Sequence, residues 1–338
     1  MAKTITMKDI ADQLNISKVT VSKALSDKEG VSDALKAKIK LLAGEMGYRY
    51  NASAQAIKSG FSFNIGVVVA EKFTGGYHSF YLTFYQEVTR ALDKYKYSSI
   101  FQVLSDEDEQ NLLLPRCYQD QKVDGLIVLG QVTSEYIEVL NGCDVPIVFL
   151  DFYEEHTEVD TVVSDNFFSA YELTNYLIAN KHRNIAFVGT ISSTSSIQDR
   201  YLGYYKSLLE HKLMLDKNLI IDDRDEKGQF INLVIPNPMP TAFVCNCDRV
   251  AYELINQLQA KGYKIPEDVS IVSFDNDIYS TLPTPQITTV DVNMAEMTAT
   301  VAEAIMNKIE NPERRYGRML VKGNIIYRDS VRNLGINL

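Results

Sequence analysis

The stretch Ile5-Thr6-Met7-Lys8-Asp9-Ile10-Ala11-Asp12-Gln13-Leu14-Asn15-Ile16-Ser17-Lys18-Val19-Thr20-Val21-Ser22-Lys23-Ala24-Leu25 decides how this chain is read. Met7, Ile10, Ala11 and Leu14 recur at intervals of three and four, the spacing that gathers apolar side chains on one face of a helix. Asn15 follows, one of the few residues besides glycine that tolerates a positive φ, so a tight turn is expected there. Ser17 is suited to cap a second helix, Lys18–Leu25, whose inward positions are Val21, Ala24 and Leu25. Ser32 is expected to cap a third, over about 33–46, with Leu35, Ile39, Leu42 and Met46 inward.

Residues 48–60 are small and polar and read as a linker with latent helix potential, too short to be stable alone. From residue 64 onward short apolar runs alternate with helical patterns. The runs are Ile65–Ala70, Ser98–Leu104, Gly125–Leu129, Pro146–Phe152, Thr161–Ser164, Ile185–Gly189, Thr241–Cys245 and Val269–Phe274. Helices are expected near 80–95, 107–120, 134–141, 167–180, 198–211, 249–261 and 294–309. This alternation predicts an α/β architecture of parallel sheets covered by helices, behind an all-α head. About 270 residues is large for one doubly wound unit, so two lobes are expected, with a break near Asp151–Asp165. The expected division is a head over 1–60 and a core over 61–338. Within the core, lobe 1 is expected at about 61–160 and 291–320, and lobe 2 at about 161–290 and 321–338.

Charge is distributed unevenly. Residues 1–60 hold ten of the 34 Lys and Arg and six of the 44 Asp and Glu, a net of +4 that leaves −14 on the remainder. A basic head on an acidic body confines attraction for phosphate to one end. No apolar run approaches the ~20 residues of a membrane span, and the first residues lack a signal-peptide pattern, so a cytosolic protein is expected. Four cysteines fit reduced thiols there, and the scattered histidines and cysteines lack zinc spacing, so neither a metal nor a cofactor is expected.

The opening stretch resembles the N-terminus of the lactose/galactose repressor family of bacterial transcriptional regulators. The likeness rests on Asp9-Ile10-Ala11, the turn exit Ile16-Ser17 and Thr20-Val21-Ser22, and on the spacing to Val31-Ser32 and Gly47-Tyr48. It implies a helix-turn-helix whose second helix enters the major groove of operator DNA. Lys18 would then donate to guanine and Val19 pack on a thymine methyl, while Ser17, Thr20 and Ser22 suit phosphates. Lys23 stands where the family usually has Arg, without the planar fork. Asn51–Lys58 is similar to the family's hinge helix, which inserts a Leu into the minor groove. Here the wedge position is Ile57, followed by Lys58, and Tyr50 replaces the usual Pro.

The core is similar to the periplasmic sugar-binding fold of that family, with an effector between the lobes. His78-Ser79-Phe80-Tyr81 takes the place of Asn-Pro-Phe-Phe, and Asp151 ends a strand. Arg200 to Gly203, after the Ser192–Ser196 loop, matches Arg-x-x-Gly, and Phe274-Asp275-Asn276 matches Phe-Asp-Asp. Cys247 replaces an Asn that often lines the site. His78, Phe80, Asp151, Ser196, Arg200, Cys247 and Asp275 are therefore the candidate effector residues. Carboxylates suit paired hydroxyls and rings suit the C–H faces of a sugar, whereas Arg200 suits either a hydroxyl or an anionic group.

A repressor tuned by a carbohydrate or sugar phosphate is the expected function. The alternatives are a regulator sensing a non-sugar metabolite such as a nucleobase, or a small-molecule-binding protein without a regulatory role. An enzyme is disfavoured, because no nucleotide-binding, nucleophile-elbow or zinc-protease motif is present. The chain closes at Val331–Leu338 without the heptads of tetrameric relatives, so a homodimer is expected.

Overall fold

The computed structural model describes residues 5–48, 60–74, 80–154, 158–226 and 228–335. The chain divides into two compact units, Met1–Ser62 and Phe63–Leu338.

The first unit contains helices α1 (Met7–Leu14), α2 (Lys18–Leu25) and α3 (Asp33–Glu45). Asn15 makes the expected turn at φ 52°, and Ser17 caps α2 by accepting from the Thr20 amide at 3.0 Å. Thr6 and Asp9 form a reciprocal capping box at the start of α1, which fixes how the chain enters the helix. Ser32 sits at the N-cap of α3 but its side chain makes no capping bond, contrary to the expectation from its type. The core is Ile10, Ala11, Val21, Ala24, Ile39 and Ala43, each contributed at helical spacing.

The second unit is two doubly wound lobes. Their elements are β1 (Asn64–Ala70), α4 (Phe80–Asp93), β2 (Ser98–Leu104), α5 (Asp106–Gln110), α6 (Arg116–Gln119), β3 (Gly125–Leu129), α7 (Ser134–Leu140), β4 (Ile147–Leu150) and β5 (Asp160–Ser164) in the first pass. The second pass is α8 (Asn166–Ala179), β6 (Ile185–Val188), α9 (Ser195–Glu210), β7 (Ile220–Ile221), β8 (Ala242–Cys245), α10 (Asp248–Ala260), β9 (Ser270–Asp275) and β10 (Thr288–Asp291). The chain then returns through α11 (Met294–Glu310), β11 (Arg318–Val321) and β12 (Asn324–Ile326). One sheet runs β11-β5-β4-β3-β1-β2, all parallel. The other runs β12-β10-β9-β8-β6-β7, with only β12 antiparallel.

The lobes exchange chain three times, between β5 and α8, between β10 and α11, and between β11 and β12. The first and third crossings lie side by side, since the Asp165 amide donates to the Val321 carbonyl at 2.8 Å. Strand order reverses between β1 and β3 in one sheet and between β6 and β8 in the other. In open α/β sheets a crevice forms at such a point, beyond the carboxyl ends of the strands.

One expected element is wrong. Residues 107–120 do not form a single helix but the separate α5 and α6. Leu112 adopts φ 56° and Pro115 supplies no amide proton, so the helix breaks there; the Leu113 carbonyl accepts from the Tyr136 hydroxyl instead. At Gly203 a Cβ would lie 2.1 Å from the Phe167 carbonyl oxygen, so a glycine lets α8 and α9 pack with their backbones in close approach.

Candidate functional site

Two surfaces gather the candidate residues, one in each unit. In the first, α2 buries Val21 and Ala24 and turns Lys18, Val19 and Lys23 to solvent. Val19 is 65% exposed, an apolar side chain facing outward on a helix that already has a buried face. Ser17 has a bond to Thr20 at 2.9 Å besides its capping role, while Thr20 and Ser22 are half-buried beside the exposed trio. Asn51, Ile57 and Lys58 lie outside the described residues, as does His78.

In the second unit a cavity of about 170 Å³ lies between the lobes at the carboxyl ends of β1, β4, β6, β8 and β9. It is lined by Phe80, Asp151, Ser196, Arg200, Cys247 and Asp275, so the fold brings together every candidate effector residue that is described. Two of these, Asp151 at the end of β4 and Asp275 at the end of β9, adopt φ 69° and 108°. Positive φ outside glycine is sparsely populated, and two such carboxylates facing one cavity mark backbone strain held at a site.

Arg200 is 5% exposed and almost wholly committed. Its Nε donates to Asn166 Oδ1 at 2.8 Å, its Nη1 to the Asn246 carbonyl, and its Nη2 to Asp275 Oδ1 at 3.4 Å. Its guanidinium also lies over the Phe274 ring, 4.5 Å from the centroid. The residue read as a ligand fork thus organises the floor, tying α8, α9, β8 and β9 together.

Asp151 accepts from the Tyr81 hydroxyl at 3.0 Å. Burial pushes its carboxyl up to about 7, against the opposing pull of Arg200 and Tyr81. Asp277 is raised to about 6 by burial and by Asp275 nearby. Burial pushes the Cys247 thiol up to about 12, so it lines the cavity as a neutral group. Beneath the floor Asp248 accepts from Ser273, from Thr289 at 2.7 Å and from the Asp277 amide at 2.9 Å, fixing the loop after β9. Across the cleft, the Ser195 amide donates to Gln131 at 2.9 Å and the Tyr153 hydroxyl to Asp199 at 2.9 Å, bridging the lobes.

A pH dependence follows. Because the folded state raises the Asp151 pKa, it holds a proton that the unfolded chain releases. The stability this confers is complete below about pH 4 and is lost as pH rises to about 7. Asp277 adds a contribution of the same sign, up to about pH 6. Urea unfolding across that range should show stability falling with pH, and Asp151→Asn should flatten the slope. An unchanged slope in that variant would place the titration elsewhere.

Sequence reading missed Arg224 and Arg249, which line the same cavity. Arg224 lies beside a bridge to Phe230, where no periodic pattern announces it, and Arg249 sits in the first turn of α10, two residues after Cys247. No group of three or more potential metal ligands occurs among the described residues. Nor is any helix among them long and apolar enough to cross a membrane.

Comparison with known proteins adds independent findings. The family model for bacterial regulatory proteins of the lacI family matches residues 6–51, and that for a periplasmic binding protein-like domain matches residues 174–331. A probable HTH-type transcriptional repressor ExuR of Bacillus subtilis (strain 168) is 28% identical over 98% of this chain and 99% of its own. Catabolite control protein A of Priestia megaterium is also 28% identical, over 91% and 93%. The lac repressor dimer bound to operator and the anti-inducer ONPF superposes with a TM-score of 0.77 at 20% identity, covering 98% of this chain and 100% of that one. A transcriptional regulator CelR-cellobiose complex gives 0.69 at 21% identity, over 96% and 99%.

Proposed function

From the premise that the chain belongs to the lacI family of bacterial regulatory proteins, we propose that it is a cytoplasmic, sequence-specific transcriptional repressor controlled by a small effector. The observation that carries the DNA half is α2 itself. It is capped by Ser17, buried on one face, and presents Lys18 and Val19 from its first turn on the other. The N-terminal residues of a recognition helix are those that meet base edges. A homodimer would place two such helices on a pseudo-palindrome, and the lac repressor of the same fold is a dimer bound to operator. Head and hinge occupy 1–60, and the core from 61 onward senses effector and dimerises.

The effector half rests on the cavity between the lobes. Its carboxylates, aromatic rings and hydroxyls suit a small carbohydrate or sugar phosphate, and a regulator of this fold binds cellobiose. Closure of the lobes around the effector rotates them about the three crossings and shifts how two subunits meet. The effector changes DNA affinity only by its preference for one arrangement, a coupling of about 1–3 kcal/mol in typical cases.

The test is a titration of full-length protein on a duplex bearing its preferred site, read by sedimentation. Two chains per duplex, with affinity falling steeply as salt rises, are expected. One chain per duplex would contradict the dimer.

A further inference from the structure

We propose that the effector of this cleft is an anionic monosaccharide, a polyol bearing a carboxylate or phosphate, and that Arg224 and Arg249, rather than Arg200, hold its charged group. The inference rests on the reading that the cleft takes a small polyhydroxylated effector.

The argument begins with which cations still have donors to offer. Arg200 spends its three nitrogens on Asn166, the Asn246 carbonyl and Asp275, and its charge is balanced by that carboxylate. Arg224 is held more loosely. Its Nε lies 3.4 Å from Asp223 Oδ2 and its Nη2 lies 3.5 Å from Asn246 Oδ1, both beyond the ~2.7–2.9 Å of a charge-assisted bond. Asp223 is itself occupied, accepting from the Thr190 amide at 2.8 Å and the Asn246 side chain at 2.9 Å. Arg249 reaches Glu253 at 3.6 Å along the exposed side of α10, a contact that water screens.

Both guanidiniums nevertheless converge. The Arg224 and Arg249 carbons lie 4.8 and 4.1 Å from the centroid of one ring, Phe230. The turn that carries Phe230 is fixed by its bridge to Arg224 and by the Asp225 amide bonding to the Gln229 carbonyl at 2.9 Å. Stacking on the ring leaves the N–H edges of both forks available. Two like charges held near one ring repel, and an anion accepting from both forks offsets that repulsion.

The rest of the cavity lining has the complementary chemistry. Asp151, with Tyr81, and Asp277 line the same cavity and suit hydroxyls. The cavity, about 170 Å³, lies well below the usual 300–1,000 Å³ of ligand sites, so a single sugar ring is the scale that fits. Arg224, Phe230 and Lys72 also line the wider opening outside it. An anionic head held at Arg224, which lines both spaces, keeps part of its hydration, which lowers the cost of taking a charge into the protein.

Calorimetric titration of the full-length protein tests this. The probes are hexoses of gluco, galacto and manno configuration, each as neutral sugar, uronate, aldonate and 6-phosphate. At least one anion is expected to bind roughly tenfold or more tightly than its neutral counterpart, the size of one or two charge-assisted bonds. Whether uronate, aldonate or phosphate leads identifies the head group. Arg224→Gln with Arg249→Gln should erase the gap between anion and neutral sugar, and Arg249→Lys should restore part of it. If the double variant fails to fold, Arg249→Gln alone, at a half-buried position, carries the test. Neutral sugars binding as tightly as the anions, with affinity indifferent to both arginines, would overturn the inference and leave the cleft as an effector site. Binding of no probe by the unmodified protein would overturn both.

Discussion

Arg200→Ala is expected to destabilise the core by roughly 3–5 kcal/mol, the cost of stranding a buried charge. Asp275 would lose its balancing cation while remaining enclosed at the end of β9 with a strained backbone. Asn166 and the Asn246 carbonyl would each lose a donor, and the Phe274 face its guanidinium. The loss is therefore a coupled one. Combining Arg200→Ala with Asp275→Asn should recover part of it, because the neutral amide needs no counter-charge. Urea unfolding of the single and double variants measures both effects. A cost below about 1 kcal/mol for Arg200→Ala would be that of an exposed pair and would remove Arg200 from its place at the centre of the site. Asp275→Asn alone is the milder probe of effector response, since it keeps the shape of the cavity.

The second large effect concerns DNA. Lys18→Ala with Val19→Ala is expected to lose about 1–3 kcal/mol for each base contact removed, at every half-site. Both side chains are exposed on the first turn of α2, and neither supports the head's core. Specific affinity should therefore fall while the head stays folded. Ser22→Ala should behave differently, weakening all sequences alike, because a phosphate contact positions without reading. Equal losses on specific and random DNA for the Lys18 and Val19 double variant would remove those residues from the reading surface.

Much of this arrangement was legible in the chain, and the reasons differ by element. The head was legible because capping, turn and apolar spacing agree at Asn15, Ser17, Val21 and Ala24. The central strands were legible because each is a short buried apolar run, as in β3 and β8. β7 and β12 were not, since two and three residues carry too little pattern, and β10 and β11 were not, since Thr288-Thr289 and Arg318 interrupt an apolar run. Asp151, Cys247 and Asp275 were found because they follow strands whose ends the fold aims at one cleft. Arg224 and Arg249 were not, because what sets them apart is a shared ring far away in sequence from one of them. Arg200 was placed at the cleft, but its bonds to Asn166 and Asn246 were not legible, since they arise only when α8 and β8 close on α9.

The central claim, that this is a sequence-specific DNA-binding regulator read out through α2, is tested most directly by selection from a random duplex pool with the full-length protein. The expected result is enrichment of one pseudo-palindrome, with the two half-sites related by the dimer's axis. The same selection with the Lys18 and Val19 double variant should yield a changed or degraded half-site. Recovery of no enriched sequence by the unmodified protein, or of an identical site by both proteins, would contradict the account.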